Sequence, residues 1–375
     1  MHIDFHASPG PTLGVEWEFA LVDQESRDLA NSAADLFEAV QPKLSDPSRL
    51  HQELLRNTVE VVTGVCETVG EAMADLRATL DVVVPAADGV GVDLFGAGTH
   101  PFAVWSSQVL TPGHRYEELI NRTQWWGRQM LIWGVHVHVG MPEVDRVMPV
   151  MTALLNTYPH LQALSASSPV WAGTDTGYAS TRAMMFQQLP TAGLPFHFES
   201  WAEYEAFAQD HFTTGVIEDL ADIRWDLRPS AHLGTIEHRV CDGVSNLREL
   251  APIVALVHCL VVDLDQRLAA GERLATMPPW NVQENKWRAA RYGLDAEIIL
   301  DAECSERLVT EDLADLLEQL APVARRLGCT DELAAVADIP RVGASYQRQR
   351  QVAHDSGGDL VAVVDSVVQE LRDSL

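Results

Sequence analysis

Four short apolar stretches of this 375-residue chain carry ionisable side chains at alternate positions: "GVEWEF" from Gly14, "NTVEVV" from Asn57, "GVHVHVG" from Gly134 and "GTIEHRVCD" from Gly234. Alternation with a period of two is strand patterning, because successive side chains of a strand point to opposite faces. Glu16 and Glu18 then share a face opposite Val15, Trp17 and Phe19, and His136 and His138 share one opposite Val135, Val137 and Val139. Glu237 and Arg239 repeat the device, and Glu60 sits between Val59 and Val61 with Glu53 just upstream. Taken singly, each has an ordinary reading. An acidic strand face is usually solvated, Glu53 alone reads as a surface residue, and a lone core histidine is usually a hydrogen-bonded structural group. Recurrence on four strands favours another reading, since charges among apolar residues are costly unless paired or bound to metal. Acids in excess over histidines favour a hard divalent cation, Mg²⁺ or Mn²⁺ over Zn²⁺.

The strand candidates are separated by helical patterns of unequal length, and several can pair antiparallel. "NSAADLFEAV" predicts a helix capped by Asn31 or Ser32, and "VGEAMADLRATLDVVVPAA" an amphipathic one. "YEELINRTQWWGRQ" and "VMPVMTALLNTYPHLQALSAS" each predict a single helix, and "MLIWGVHVHVGM" a strand. "IRWDLRPSAHLGTIEHRVCD" predicts two strands around a turn. The expectation is one α+β unit over residues 1–375, mainly helical from about residue 246.

The 26 basic and 54 acidic residues leave a formal charge of -28, which argues against nucleic acid or an anionic membrane as partner. Five scattered cysteines without a C-x-x-C pair fit a reduced, cytoplasmic protein. The N-terminus has no signal-peptide pattern, and the longest apolar run, near Ala251 to Val262, contains His258 and is too short to span a bilayer. Neither the phosphate-binding G-x-x-x-x-G-K-[ST] nor G-x-S-x-G occurs.

In order, "GVEWEF", "ELLRNTVEVVTG", "GTHPF", "GVHVHVGM", "GYASTR", "LPTAGLP", "GTIEHRVCD" and "ENKWRAARYGLDA" resemble the successive motifs of the bacterial carboxylate–amine ligases related to type 2 glutamate–cysteine ligase, over about residues 12 to 350. The resemblance implies a glutamine synthetase-like catalytic domain: a curved, mainly antiparallel sheet flanked by helices, holding ATP and divalent metals. It implies an ATP-dependent carboxylate–amine ligase with glutamate–cysteine ligase activity, if weak. ATP would phosphorylate an amino-acid carboxylate such as that of glutamate, and an amine such as cysteine would displace the phosphate.

Carried onto this chain, the resemblance makes Glu16 and Glu18 ligands of different metals, with Glu53 and Glu60 the next carboxylate pair. His136 becomes the histidine ligand of the metal bridging the ATP phosphates, His138 a residue touching ATP, Glu237 the last metal ligand, and Arg239 a neighbour of the transferring phosphoryl group. An acyl phosphate must be kept from water, and Thr174 to Pro195, punctuated by glycines and prolines, is the candidate lid. Within it Arg182 is a candidate catalytic clamp on a carboxylate or phosphate, with a helix-surface ion pair as the equal alternative. Arg228, Asn285, Arg288 and Arg291 stand the same way, and Gly14 is expected to allow close approach to the backbone.

Two other functions compete. A metal-dependent amidohydrolase also uses His-x-His on a strand, on the first strand of a (β/α)₈ barrel. A non-catalytic binding protein of the same fold would lack some of the acids, and here every position is filled. Oligomeric state is not legible, a homodimer being one option.

Overall fold

The computed structural model describes residues 1–375. Seven strands build its main sheet: β1 (Leu13–Asp23), β2 (Leu50–Gln52), β3 (Thr58–Val62), β4 (Val92–Phe95), β5 (Gly134–Gly140), β6 (Leu227–Ser230) and β7 (Thr235–Asp242). They lie in the order β6-β7-β5-β1-β3-β2, and β4 pairs with the far end of β1 at Ala20–Asp23. Every pairing in this sheet is antiparallel. A (β/α)₈ barrel is all parallel, so the architecture behind the amidohydrolase alternative is absent.

One face of the sheet is apolar and closed. Val15, Trp17, Phe19, Val135, Val137 and Val139 are at most 1 % exposed and belong to a continuous hydrophobic core. The covering helices include α1 (Ala33–Val40), α2 (Val69–Gly89), α5 (Val144–Leu154) and α9 (Leu247–Ala269), which all contribute buried residues to it. The Trp17 indole donates to the Val244 carbonyl at 3.0 Å, satisfying the one polar atom this face buries on β1. The same core reaches Leu371, so the C-terminal helices share it with the sheet.

Several predicted elements break where the backbone cannot continue. The first predicted single helix is α3 (His114–Thr123) and α4 (Trp125–Arg128), split at Gln124, whose φ is +48°. The second is α5 and α6 (Tyr158–Ser165), and Pro159 occupies the first turn of α6, where a missing N–H costs nothing. The β5 strand starts only at Gly134, and Ser32 caps α1 by position without a side-chain bond. The candidate lid is more ordered than expected: it holds helix α7 (Thr181–Phe186) and two two-residue strands, Thr174–Asp175 and Ala192–Gly193. After α8 (Trp201–Thr213) and β6–β7, the chain is helical as expected, with α9, α10 (Pro279–Tyr292) and five further helices between Val309 and Arg372. A hairpin, Glu297–Ile299 with Glu306–Leu308, is the exception.

Candidate active site

Antiparallel register brings the ionisable side chains of four strands into one row. Glu18 stands opposite Glu60, Glu16 opposite His136, His138 opposite Glu237, and Glu237 opposite Arg228. Gly14 faces His138, and a Cβ there would meet the His138 Cβ at an ordinary 3.6 Å, so the glycine provides no close approach.

Glu16 is the hinge of the row. One carboxylate oxygen lies 2.7 Å from His136 Nδ1 and the other 3.2 Å from His138 Nε2. Two groups of candidate ligand atoms therefore share Glu16: Glu16, Glu60 and His136, and Glu16, His138 and Glu237, each with its atoms within 4.8 Å of one another. The resemblance made His136 a metal ligand and His138 a residue touching ATP; the geometry puts both among candidate ligand atoms, His138 with Glu237 and His136 with Glu60.

The electrostatics of the two groups differ. Burial, then the neighbouring charges of Glu16, Glu53 and Glu18, push the Glu60 carboxyl well above the usual carboxylate range. Burial also raises Glu18 and Glu53. Burial acts in the same direction on Glu237, yet Arg228, Arg239 and His138 overcome it and hold that carboxylate low. Arg228 Nε donates to Glu237 at 2.6 Å and Arg239 to its other oxygen at 2.5 Å. Glu16 is likewise held low against burial, by its bonds to His136 and His138. The first group is thus a crowd of like charges in need of a cation, and the second is already partly neutralised. Five carboxylates and two imidazoles make a donor set suited to hard divalent cations.

The first group opens into a cleft of about 340 Å³, walled by Glu53, Arg115, Tyr116, Phe186, Arg224 and Arg239 among others, with Leu54, Met130, Ile132 and Leu189 as apolar lining. A more polar hollow of about 510 Å³ adjoins it and shares Arg115, Leu119 and Arg224. Glu237 and His138 are buried behind this wall, 1 % and 6 % exposed.

Of the sequence candidates, Glu16, Glu18, Glu53, Glu60, His136, Arg228 and Arg239 line the cleft. Arg182 does not. It is buried, and its guanidinium donates to the Arg239 and Val240 carbonyls at 3.3–3.5 Å. Asn285 exchanges two hydrogen bonds with the Ile299 backbone, Arg288 pairs with Glu284 and Glu306, and Arg291 donates to the Gly177 carbonyl. Missed in the sequence were Arg115 and Tyr116, in the first turn of α3, and Arg224, which pairs with Ala192 in a two-residue strand. Asp242 was also missed; its buried carboxylate takes Ser167 N–H and the Ser168 and Ser180 hydroxyls. No helix of the chain is long and apolar enough to cross a membrane.

Comparison with known proteins bears on the family and the fold. Residues 12–366 match the family described as glutamate-cysteine ligase family 2. A Nocardioides protein named "Putative glutamate–cysteine ligase 2-3" is 73 % identical over 375 residues, covering 100 % of both chains. Among solved structures, a glutamate–cysteine ligase from Francisella tularensis, in complex with AMP, superposes with a TM-score of 0.68 at 12 % identity, covering 99 % of this chain and 90 % of the other. A bifunctional glutathione synthetase from Pasteurella multocida gives 0.71 at 13 % identity, over 97 % of this chain and 53 % of the other. At such identities the likeness is one of fold.

Proposed function

Because this chain belongs to glutamate-cysteine ligase family 2, we propose that it is an ATP-dependent ligase joining an amino-acid carboxylate to an amine, glutamate and cysteine being the substrates its relatives' names suggest. The observation that carries this reading is Glu16 joining two ligand groups directly beside Arg239. The whole chain acts as one catalytic unit, in the cytoplasm, where ATP is supplied.

Glu16, Glu60 and His136 would hold one divalent cation, Mg²⁺ or Mn²⁺, and Glu16, His138 and Glu237 a second, with Glu18 and Glu53 completing the first. When bound, such cations neutralise phosphate oxygens and orient ATP for in-line transfer. Arg239 is the cleft cation placed to meet the transferring γ-phosphoryl group. Its bond to Glu237 fixes the guanidinium before substrate arrives, so little reorganisation is needed during transfer. Arg115 and Arg224, at the junction with the polar hollow, suit the α-carboxylate of an amino acid. Leu54, Met130, Ile132, Phe186 and Leu189 form the apolar side that keeps water from the acyl phosphate until the amine attacks.

Purified protein with Mg²⁺ should release phosphate from ATP when an acid and an amine are both supplied, glutamate and cysteine first among the pairs screened, and slowly with the acid alone. Cleavage of an amide without ATP would instead make it a hydrolase.

A further inference from the structure

Between β5 and β7 the register slips. His238 faces Val137 and Cys241 faces Val135, so Arg239 and Val240 together oppose the single residue His136. Such a two-against-one bulge bends its strand, re-aims a side chain and leaves backbone groups unpaired. Here the re-aimed side chain is Arg239. The Arg239 and Val240 carbonyls are taken instead by the guanidinium of Arg182, from α7.

Three further contacts tie Arg182 to this seam. Gly134, the first residue of β5, leaves the space the guanidinium fills, and a Cβ at Gly134 would overlap it. Helix α7 is bolted to the end of β7, since Ser180 donates to Asp242 at 2.8 Å and the Arg182 N–H donates to the Ser168 hydroxyl, itself bonded to Asp242. The Phe186 ring, one helical turn on, has the guanidinium carbons of Arg182 and Arg239 at 5.8 and 5.9 Å from its centroid. This half of the segment Thr174–Pro195 is therefore a brace rather than a lid.

We infer that Arg182 is a positioning residue: by filling the bulge carbonyls over Gly134 it holds the strand kink that aims Arg239 at Glu237 and His136. The inference rests on the ligase reading for its consequence in catalysis but not for its geometry. A small misplacement of a transition-state cation costs on the order of 100-fold in rate. Arg182→Lys keeps the charge but cannot fork across two carbonyls, and Gly134→Ala expels the guanidinium from the other side.

The test combines crystal structures of Arg182→Lys and Gly134→Ala with steady-state kinetics of these, of Arg182→Ala and of the double variant Arg182→Ala/Gly134→Ala. The expected result is an Arg239 guanidinium withdrawn from Glu237 in both structures, kcat down about 100-fold with the KM for ATP within about twofold, and a double variant no slower than Arg182→Ala alone. A purely structural role would lower thermal stability and leave kcat of the folded fraction unchanged. Arg239 still seated on Glu237 in Arg182→Lys, or multiplicative losses in the double variant, would overturn the inference. Should the wild type show no ATP-dependent ligation with any substrate pair, the functional proposal fails, and the crystal structures alone still decide the role of Arg182.

Discussion

Glu18 on β1 and Glu60 on β3 stand directly opposite each other on neighbouring antiparallel strands. Like charges so placed destabilise a sheet. The crowd is worse than the pair, because Glu16 and Glu53 add their charges and burial removes the water that would screen them.

The first prediction follows from that crowd. With no cation bound, the carboxyls of Glu18, Glu53 and Glu60 have raised pKa values, so each keeps its proton to a higher pH than in an unfolded chain. A cation must displace those protons. Mn²⁺ affinity, followed by titration calorimetry, should therefore fall as pH drops towards and through the carboxylate range, starting above the ordinary value of 4.5. A raised acid opposes folding as pH rises above its unfolded value, and in full above its folded pKa, so Glu60→Gln should stabilise the metal-free protein at pH 7–8 while cutting turnover by about 100-fold or more. Loss of stability in metal-free Glu60→Gln would contradict the like-charge account.

Glu16 and Glu237 should separate in stability although both are candidate ligands. Glu16→Gln loses a carboxylate that His136 and His138 keep ionised but strands no permanent cation, so the fold should stay intact at a smaller cost while the enzyme becomes inactive. Glu237 is 1 % exposed and is the counter-charge of Arg228 and Arg239. Its removal in Glu237→Ala strands two cations and should cost about 3–5 kcal/mol. Urea unfolding of both variants without metal checks this; equal midpoints would mean that the arginines find other partners.

A third prediction concerns pH and a histidine away from the cleft. His100 is 2 % exposed; its Nε2 donates to the Arg27 carbonyl at 2.9 Å, and its Nδ1 accepts from the Ala103 N–H at 3.0 Å. Both ring nitrogens are used by the neutral form, and burial lowers its pKa from 6.5 to about 4. The unfolded chain thus binds a proton that the folded chain refuses between these values, and stability falls as pH drops through that window. The contribution is on the order of 3 kcal/mol. Unfolding free energies of wild type and His100→Gln, measured from pH 7 to 4, should diverge by that slope. Parallel curves would mean that His100 takes up its proton inside the fold.

Much of the site was legible because side-chain alternation is a local property of an extended backbone. "GVHVHVG" places two imidazoles on one face and three valines on the other wherever the strand ends up, and "GVEWEF" does the same for Glu16 and Glu18. The ordered motif series carried the antiparallel sheet as well. Helix breaks were less legible: nothing periodic distinguishes Gln124, at its positive φ, from the helical residues around it.

What tertiary structure alone decided is which groups face one another. Glu16 reaches His136 and His138 across 120 and 122 positions of chain, and His138 rather than His136 joins Glu237 because strand register sets that pairing. Register is a property of two strands together and is absent from either one's pattern. The same holds for Arg182. As a residue in a glycine- and proline-rich stretch it reads equally as a substrate clamp or a surface charge. Only the bulge in β7, whose Arg239 and Val240 carbonyls take the guanidinium above the bare Cα of Gly134, makes it a brace. The alternation of polar and apolar residues determined that charges would line one face of a sheet, because burying the other face drives folding. Long-range pairing, whose energy depends on partners more than 100 residues apart, decided which charges meet.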